Sequence, residues 1–107
     1  MDKDLKKIIN TFGINNQQRK LQEEIFELQE AITCFELNNS VSYEIPLCEL
    51  AYGIDSIKEE LADCMVLLNQ IMANYNFTNR EINEIMEQKI ERTIDRIEQG
   101  YYETKNF

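Results

Sequence analysis

The stretch KLQEEIFELQEAITCF, residues 20–35, decides how the rest of the chain is read. Leu21, Ile25, Leu28, Ile32 and Phe35 recur at three- and four-residue steps, the spacing that lines one face of an α-helix. Glu24 stands inside that stripe, three residues after Leu21 and four before Leu28, so the pattern turns a carboxylate toward the core. A carboxylate in that position is costly unless something pairs with it. Glu27 follows one turn later and can offer its oxygens to the same point, with Glu23 and Glu30 flanking more loosely.

The pattern returns 36 positions on. LQEEIFEL at residues 21–28 aligns with IKEELADC at 57–64: Glu23 matches Glu59, Glu24 matches Glu60, and Asp63 stands where Glu27 stood. Ile57, Leu61, Cys64, Met65, Leu68, Ile71 and Met72 make a second stripe, which Glu60 interrupts as Glu24 interrupts the first. If the two helices pack together, four carboxylates meet, and like charges that close do not all stay ionised without cations. The chain has no histidine and its three cysteines do not cluster. Oxygen-only ligands at helical spacing suit Mg²⁺, with Mn²⁺ as the alternative, over zinc or copper.

Composition bounds the fold. A chain of 107 residues with three glycines, one proline and abundant Glu, Ile and Leu favours helices. The expectation is a single all-α domain over residues 1–107, an antiparallel helical bundle of about four helices. A net charge of −9 argues against nonspecific nucleic-acid binding, which needs a basic surface. No long apolar run or leader pattern is present, so no membrane span and a cytoplasmic location are expected. Cys34, Cys48 and Cys64 read as free core thiols, since no histidine is available to activate a nucleophile.

In order along the chain, residues 5–12 suggest a short structural helix ended near Gly13. A second helix is expected over 17–37, capped by Asn15 or Asn16 and broken by Asn38, Asn39 and Ser40. The segment up to Gly53 holds the single proline, Pro46, and is either a lid or a plain connector. A third helix should start at Asp55 or Ser56, with Ser56 and Glu59 as a capping box, and run to about Tyr75. Thr78 and Glu81 form the box of a fourth, over 79–99, ended at Gly100. Its face of Ile82, Ile85, Met86, Ile90, Ile94 and Ile97 is bordered by Lys89, Arg92 and Arg96. That basic edge reads either as a site or as ordinary pairs with Glu91 and Asp95. One long helical hairpin plus a further helix leaves an apolar face open, so a homodimer or homotetramer is expected to complete the bundle.

EEIFE at 23–27 followed by EELAD at 59–63 resembles the paired EExxE and ExxD signature of the MazG-like all-α nucleoside triphosphate pyrophosphohydrolases. KIERTIDRIEQG at 89–100 is similar to the helix that follows in those proteins, so the likeness covers residues 17–100. Gln88 stands where many relatives carry asparagine, and the connection between the acidic segments is longer than is usual there. The resemblance implies Mg²⁺-dependent hydrolysis of a ribo- or deoxynucleoside triphosphate to monophosphate and pyrophosphate, in the service of nucleotide-pool housecleaning. It implies Glu24, Glu27, Glu60 and Asp63 as metal ligands, Glu24 or Glu27 as general base, Lys89 and Arg92 as phosphate contacts, and Glu23 and Glu59 as outer residues. Base recognition would fall to residues such as Phe26, Tyr43 and Tyr52. The alternative is a helical bundle that binds a nucleotide or a partner protein without turnover.

Overall fold

The computed structural model describes residues 2–40 and 53–100. Among them the chain forms four helices and no strand: α1 (Asp2–Phe12), α2 (Ile14–Ser40), α3 (Ile54–Tyr75) and α4 (Asn79–Glu98). No helix among the described residues is long and apolar enough to cross a membrane. The described chain divides into two compact units, Met1–Tyr75 and Asn76–Phe107.

In the first unit α2 and α3 pack most extensively, and α1 lies against both. Gly13 separates α1 from α2 with φ 85°, a left-handed conformation that costs an L side chain about 1–2 kcal/mol. The Gly13 N–H donates to the Ile9 carbonyl at 2.7 Å, and its own carbonyl accepts from Gln17 N–H at 3.1 Å, so one residue closes one helix and opens the next. Asn16, expected to cap α2, instead donates its side-chain amide to the Phe12 carbonyl at 2.7 Å and closes the end of α1. A free helix-terminal carbonyl lies within its reach, which is the stronger demand.

Several expected boundaries move. α2 runs on through Asn38, Asn39 and Ser40, because asparagine and serine only weaken a helix and do not block it. α3 begins at Ile54, with Ser56 and Ile57 N–H both directed at the Gly53 carbonyl. Ser56 is therefore already inside the first turn and does not stand outside it as a cap. Pro46, Tyr43, Tyr52 and Cys48, with the lid or connector they belong to, lie outside the described residues.

The buried line is narrower than the apolar stripes. On α2 it passes through Gln17, Glu24 and Ala31 at seven-residue steps and on to Cys34, with Ala31 at 0% exposure. On α3 it passes through Cys64, Leu67 and Gln70. Ile25, Leu61, Met65 and Leu68, placed on core stripes by periodicity, are exposed. A helix with two partners covers only part of a stripe, and the small Ala31 draws the contact seam to its own side of α2. Leu5 and Ile9 anchor α1. Glu24 lies near Glu60 and Asp63, while Gln17, two turns earlier, shares a cavity wall with Gln70, later in α3. The two helices therefore run antiparallel.

Cysteine behaviour departs from expectation in one place. Cys64 is a buried free thiol, but Cys34 is disulfide-bonded. Sequence spacing does not reveal which thiols a fold brings into range.

Within the second unit, Asn76 adopts φ 59°, a left-handed conformation that asparagine tolerates better than most residues. Thr78 then caps α4. Its hydroxyl accepts from Glu81 N–H at 3.2 Å, and the Glu81 carboxylate accepts from Thr78 N–H at 2.8 Å, the reciprocal box the sequence predicts. Gly100, at φ 73°, follows the last turn and donates to the Ile97 carbonyl. Ile85, Met86, Ile90, Ile94 and Ile97 form an exposed apolar face on α4.

A carboxylate cluster in the helical seam

The seam of the first unit carries acids where a helix pair usually carries leucine. One carboxylate oxygen each from Glu24, Glu60 and Asp63 lies within 4.8 Å of the other two. Glu24 is only 9% exposed, because the α2 buried line runs straight through it. Glu60 is half-buried, and Asp63, one turn along α3, is exposed. Glu27 is exposed beside them, and its charge is the strongest acting on both Glu24 and Glu60. Glu23 and Glu59 point outward, exposed, as their flanking positions suggest.

These carboxylates are poorly satisfied. Lys20 Nζ approaches Glu24 Oε1 at 3.7 Å from a largely exposed position, a contact of small value in water. Lys58, two residues before Glu60, pairs with Asp55 at 3.9 Å. Glu24 Oε2 and Glu60 Oε2 are both buried with no hydrogen-bond partner. Burial first, then the Glu27 charge, raises the Glu24 carboxyl above its ordinary range. The same causes in the same order push Glu60 up to about 7. A proton on Glu60 lets it donate to Glu24, which ties the two carboxyls together when no cation is near.

Cys64 sits behind the cluster. Burial pushes its thiol up, and the charges of Glu24, Glu60, Asp63 and Glu27 add to the effect. A thiol held neutral in this way is a packing group and not a nucleophile.

The raised carboxyls set a direction for pH. A group that binds its proton more tightly folded than unfolded favours folding as pH falls, because νN exceeds νU between the two pKa values. For Glu60 that window runs from 4.5 to about 7. In EDTA, the melting temperature should therefore climb as pH is lowered from 8 to 5.5, and the slope should flatten in Glu60→Gln. A variant with the wild-type slope would remove Glu60 from the cause.

The residues fit a hard divalent cation. All donors are carboxylate oxygens, Glu24 and Glu60 each also carry a buried oxygen atom without a hydrogen-bond partner, and a cation held at about 2.0–2.6 Å from each ligand spans oxygens of this separation after small side-chain adjustment.

A cavity of about 550 Å³ opens directly beside Glu24 and Asp63. Its walls come from all three helices: Ile8 and Phe12 of α1, Gln17 and Lys20 of α2, and Val66, Leu67 and Gln70 of α3. The short first helix, which periodicity marks as structural, is thus also a cavity wall. Phe26 is elsewhere, 66% exposed beside Gln22, Glu23 and Glu27, and Tyr43 and Tyr52 fall outside the described residues. Gln17 and Gln70 are buried polar residues of this wall that belong to neither acidic segment. The signal that exposes Glu24 also marks Gln70: it continues the α3 face of Asp63 and Leu67 at four- and three-residue steps, a polar group where an apolar one is due.

Lys89 and Arg92 belong to the second unit, exposed along α4. No ion pair of Lys89 or Arg92 is found among the described residues. The chain was compared with known protein families, curated proteins and solved structures, and nothing matches it.

Proposed function

We propose that the chain is a divalent-cation-dependent nucleoside triphosphate pyrophosphohydrolase of MazG-like type, acting on the nucleotide pool. The observation that carries this is the pair of buried, unpartnered carboxylate oxygens of Glu24 and Glu60, converging with Asp63 in the seam between α2 and α3. Crowded acids in a small core are unfavourable without a counter-charge, so an arrangement that retains them points to a cation. The repeated acidic segments at 23–27 and 59–63 and the family resemblance they carry give that cation a substrate.

In this scheme Glu24, Glu27, Glu60 and Asp63 hold Mg²⁺, or Mn²⁺. When bound, the ion supplies Lewis-acid neutralisation of phosphate charge. The chain's own groups do the rest. Water attacks the α-phosphorus, the bond to the bridging oxygen of the β-phosphate breaks, and pyrophosphate leaves beside the monophosphate. Glu24 or Glu27 takes the water's proton, and Glu27, which is exposed, has the solvent access to pass it on. Lys89 and Arg92, exposed on α4, are the proposed phosphate contacts, arginine with a two-pronged grip. The open apolar face of α4 supports a homodimer or homotetramer as the working form.

The test is incubation with ribo- and deoxynucleoside triphosphates plus Mg²⁺, with pyrophosphate and single phosphate measured separately. Pyrophosphate and monophosphate should appear in equal amounts and vanish with EDTA. Mg²⁺ should also raise the melting temperature. Absence of turnover together with no Mg²⁺ shift would overturn the proposal, and a shift without turnover would leave a nucleotide-binding bundle.

A further inference from the structure

We infer that the cavity beside the acid cluster is a base-recognition subsite, and that Gln70 reads a nitrogen-bound hydrogen on the base of the bound nucleotide. This rests on the function proposed above and names the residue that meets the base. The cavity is continuous with the cluster through Glu24 and Asp63, which line it. A ligand whose phosphates are held near those acids therefore has its far end directed into about 550 Å³ of space. The walls suit a flat, mostly apolar ring: Ile8, Val66 and Leu67 offer aliphatic surface, and Phe12 offers an aromatic one.

The polar content is more specific. Gln70 is 2% exposed and its Oε1 is buried without a hydrogen-bond partner. A buried acceptor left unsatisfied is costly, and a long amide is an unusual choice for a seam that Leu67 and Cys64 otherwise fill. Gln17, also buried, adds a second amide on the opposite helix. An N–H donor on an inserted heterocycle would satisfy Oε1 and turn that cost into selectivity, since a site built around a hydrogen bond rejects a ligand lacking it more strongly than an apolar site does. Lys20, the remaining polar wall residue, is tied to Glu24 at 3.7 Å and lies at the acid end of the cavity.

The test is a cycle on the full chain with Mg²⁺. kcat/KM is measured for the best natural triphosphate, for its analogue with the base N–H donor deleted, and for ribose triphosphate without a base, on wild type and Gln70→Leu. Deleting the donor should cost wild type on the order of tenfold and Gln70→Leu almost nothing. The base-less compound should be turned over equally by both proteins. Equal losses on the two proteins, or a uniform fall across all three compounds, would overturn the inference while leaving the pyrophosphohydrolase activity standing. No turnover of any compound by wild type would overturn both. Gln70→Met, similar in volume and unbranched, replaces Gln70→Leu if the leucine variant melts early.

Discussion

Glu60→Gln is expected to abolish pyrophosphate release while leaving a folded and somewhat firmer apoprotein. The loss follows from the cluster: Glu60 supplies one of three carboxylate oxygens that lie within 4.8 Å of one another, and its Oε2 is buried without a hydrogen-bond partner. On the proposed function, removing its charge would remove a ligand and lower the field that holds the cation. Lewis-acid stabilisation of phosphoryl transfer is worth several kcal/mol, and about 4 kcal/mol corresponds to roughly a thousandfold in kcat/KM. The gain in apoprotein stability has the opposite origin. Without a cation, Glu60 faces Glu27, Glu24 and Asp63, and a neutral amide relieves that repulsion. The checks are pyrophosphate release at saturating Mg²⁺ and melting curves in EDTA and in Mg²⁺. Wild type should melt higher with the ion, and the variant should hardly respond. An unfolded variant would instead assign Glu60 a structural role, and a variant with unchanged turnover would remove it from the site.

The second large effect concerns the seam that positions these acids. Leu67→Ala should cost about 3 kcal/mol, the range for deleting a buried leucine, against a total of about 5–15 kcal/mol for a small domain. The melting temperature should fall by roughly 12–24 °C. Leu67 is buried between Cys64 and Gln70 on α3 and lines the cavity next to the acids. Leu68→Ala, one residue on, should cost under about 1 kcal/mol, since Leu68 is 48% exposed. Thermal and urea unfolding of the two variants would separate them. The contrast is informative because hydrophobic spacing selects Leu68 and the packed structure selects Leu67. Equal and large losses would mean that the Leu68 face is covered in solution by a second copy of the chain.

The two residues also show why a stripe is not a core. Periodicity places Leu61, Met65 and Leu68 on one side of α3, and that much is local chemistry. Which part of the side is covered depends on where α2 and α1 lie, and Ala31 draws α2 in along a line through Cys64, Leu67 and Gln70. Boundaries show the same division. The Thr78–Glu81 box is a short-range bargain between neighbours and is legible from four residues. Asn16 had two local uses, and the free Phe12 carbonyl on the preceding helix took it.

What the sequence by itself determined is the helical content, the cap of α4, the breaks at Gly13 and Gly100, and the inward turn of Glu24, because each depends on propensity or spacing within a few residues. The pairing of Glu24 with Glu60 and Asp63 was suggested by the repeated segments, but only the antiparallel packing of α2 on α3 sets the distance that crowds them. The same holds for the cavity. Ile8 and Gln17 are far along the chain from Gln70 and unremarkable in composition, and the three become one wall only when three helices meet. Local rules act between neighbours in sequence, whereas unpaired oxygens, charge crowding and cavities arise between residues that only tertiary packing makes neighbours.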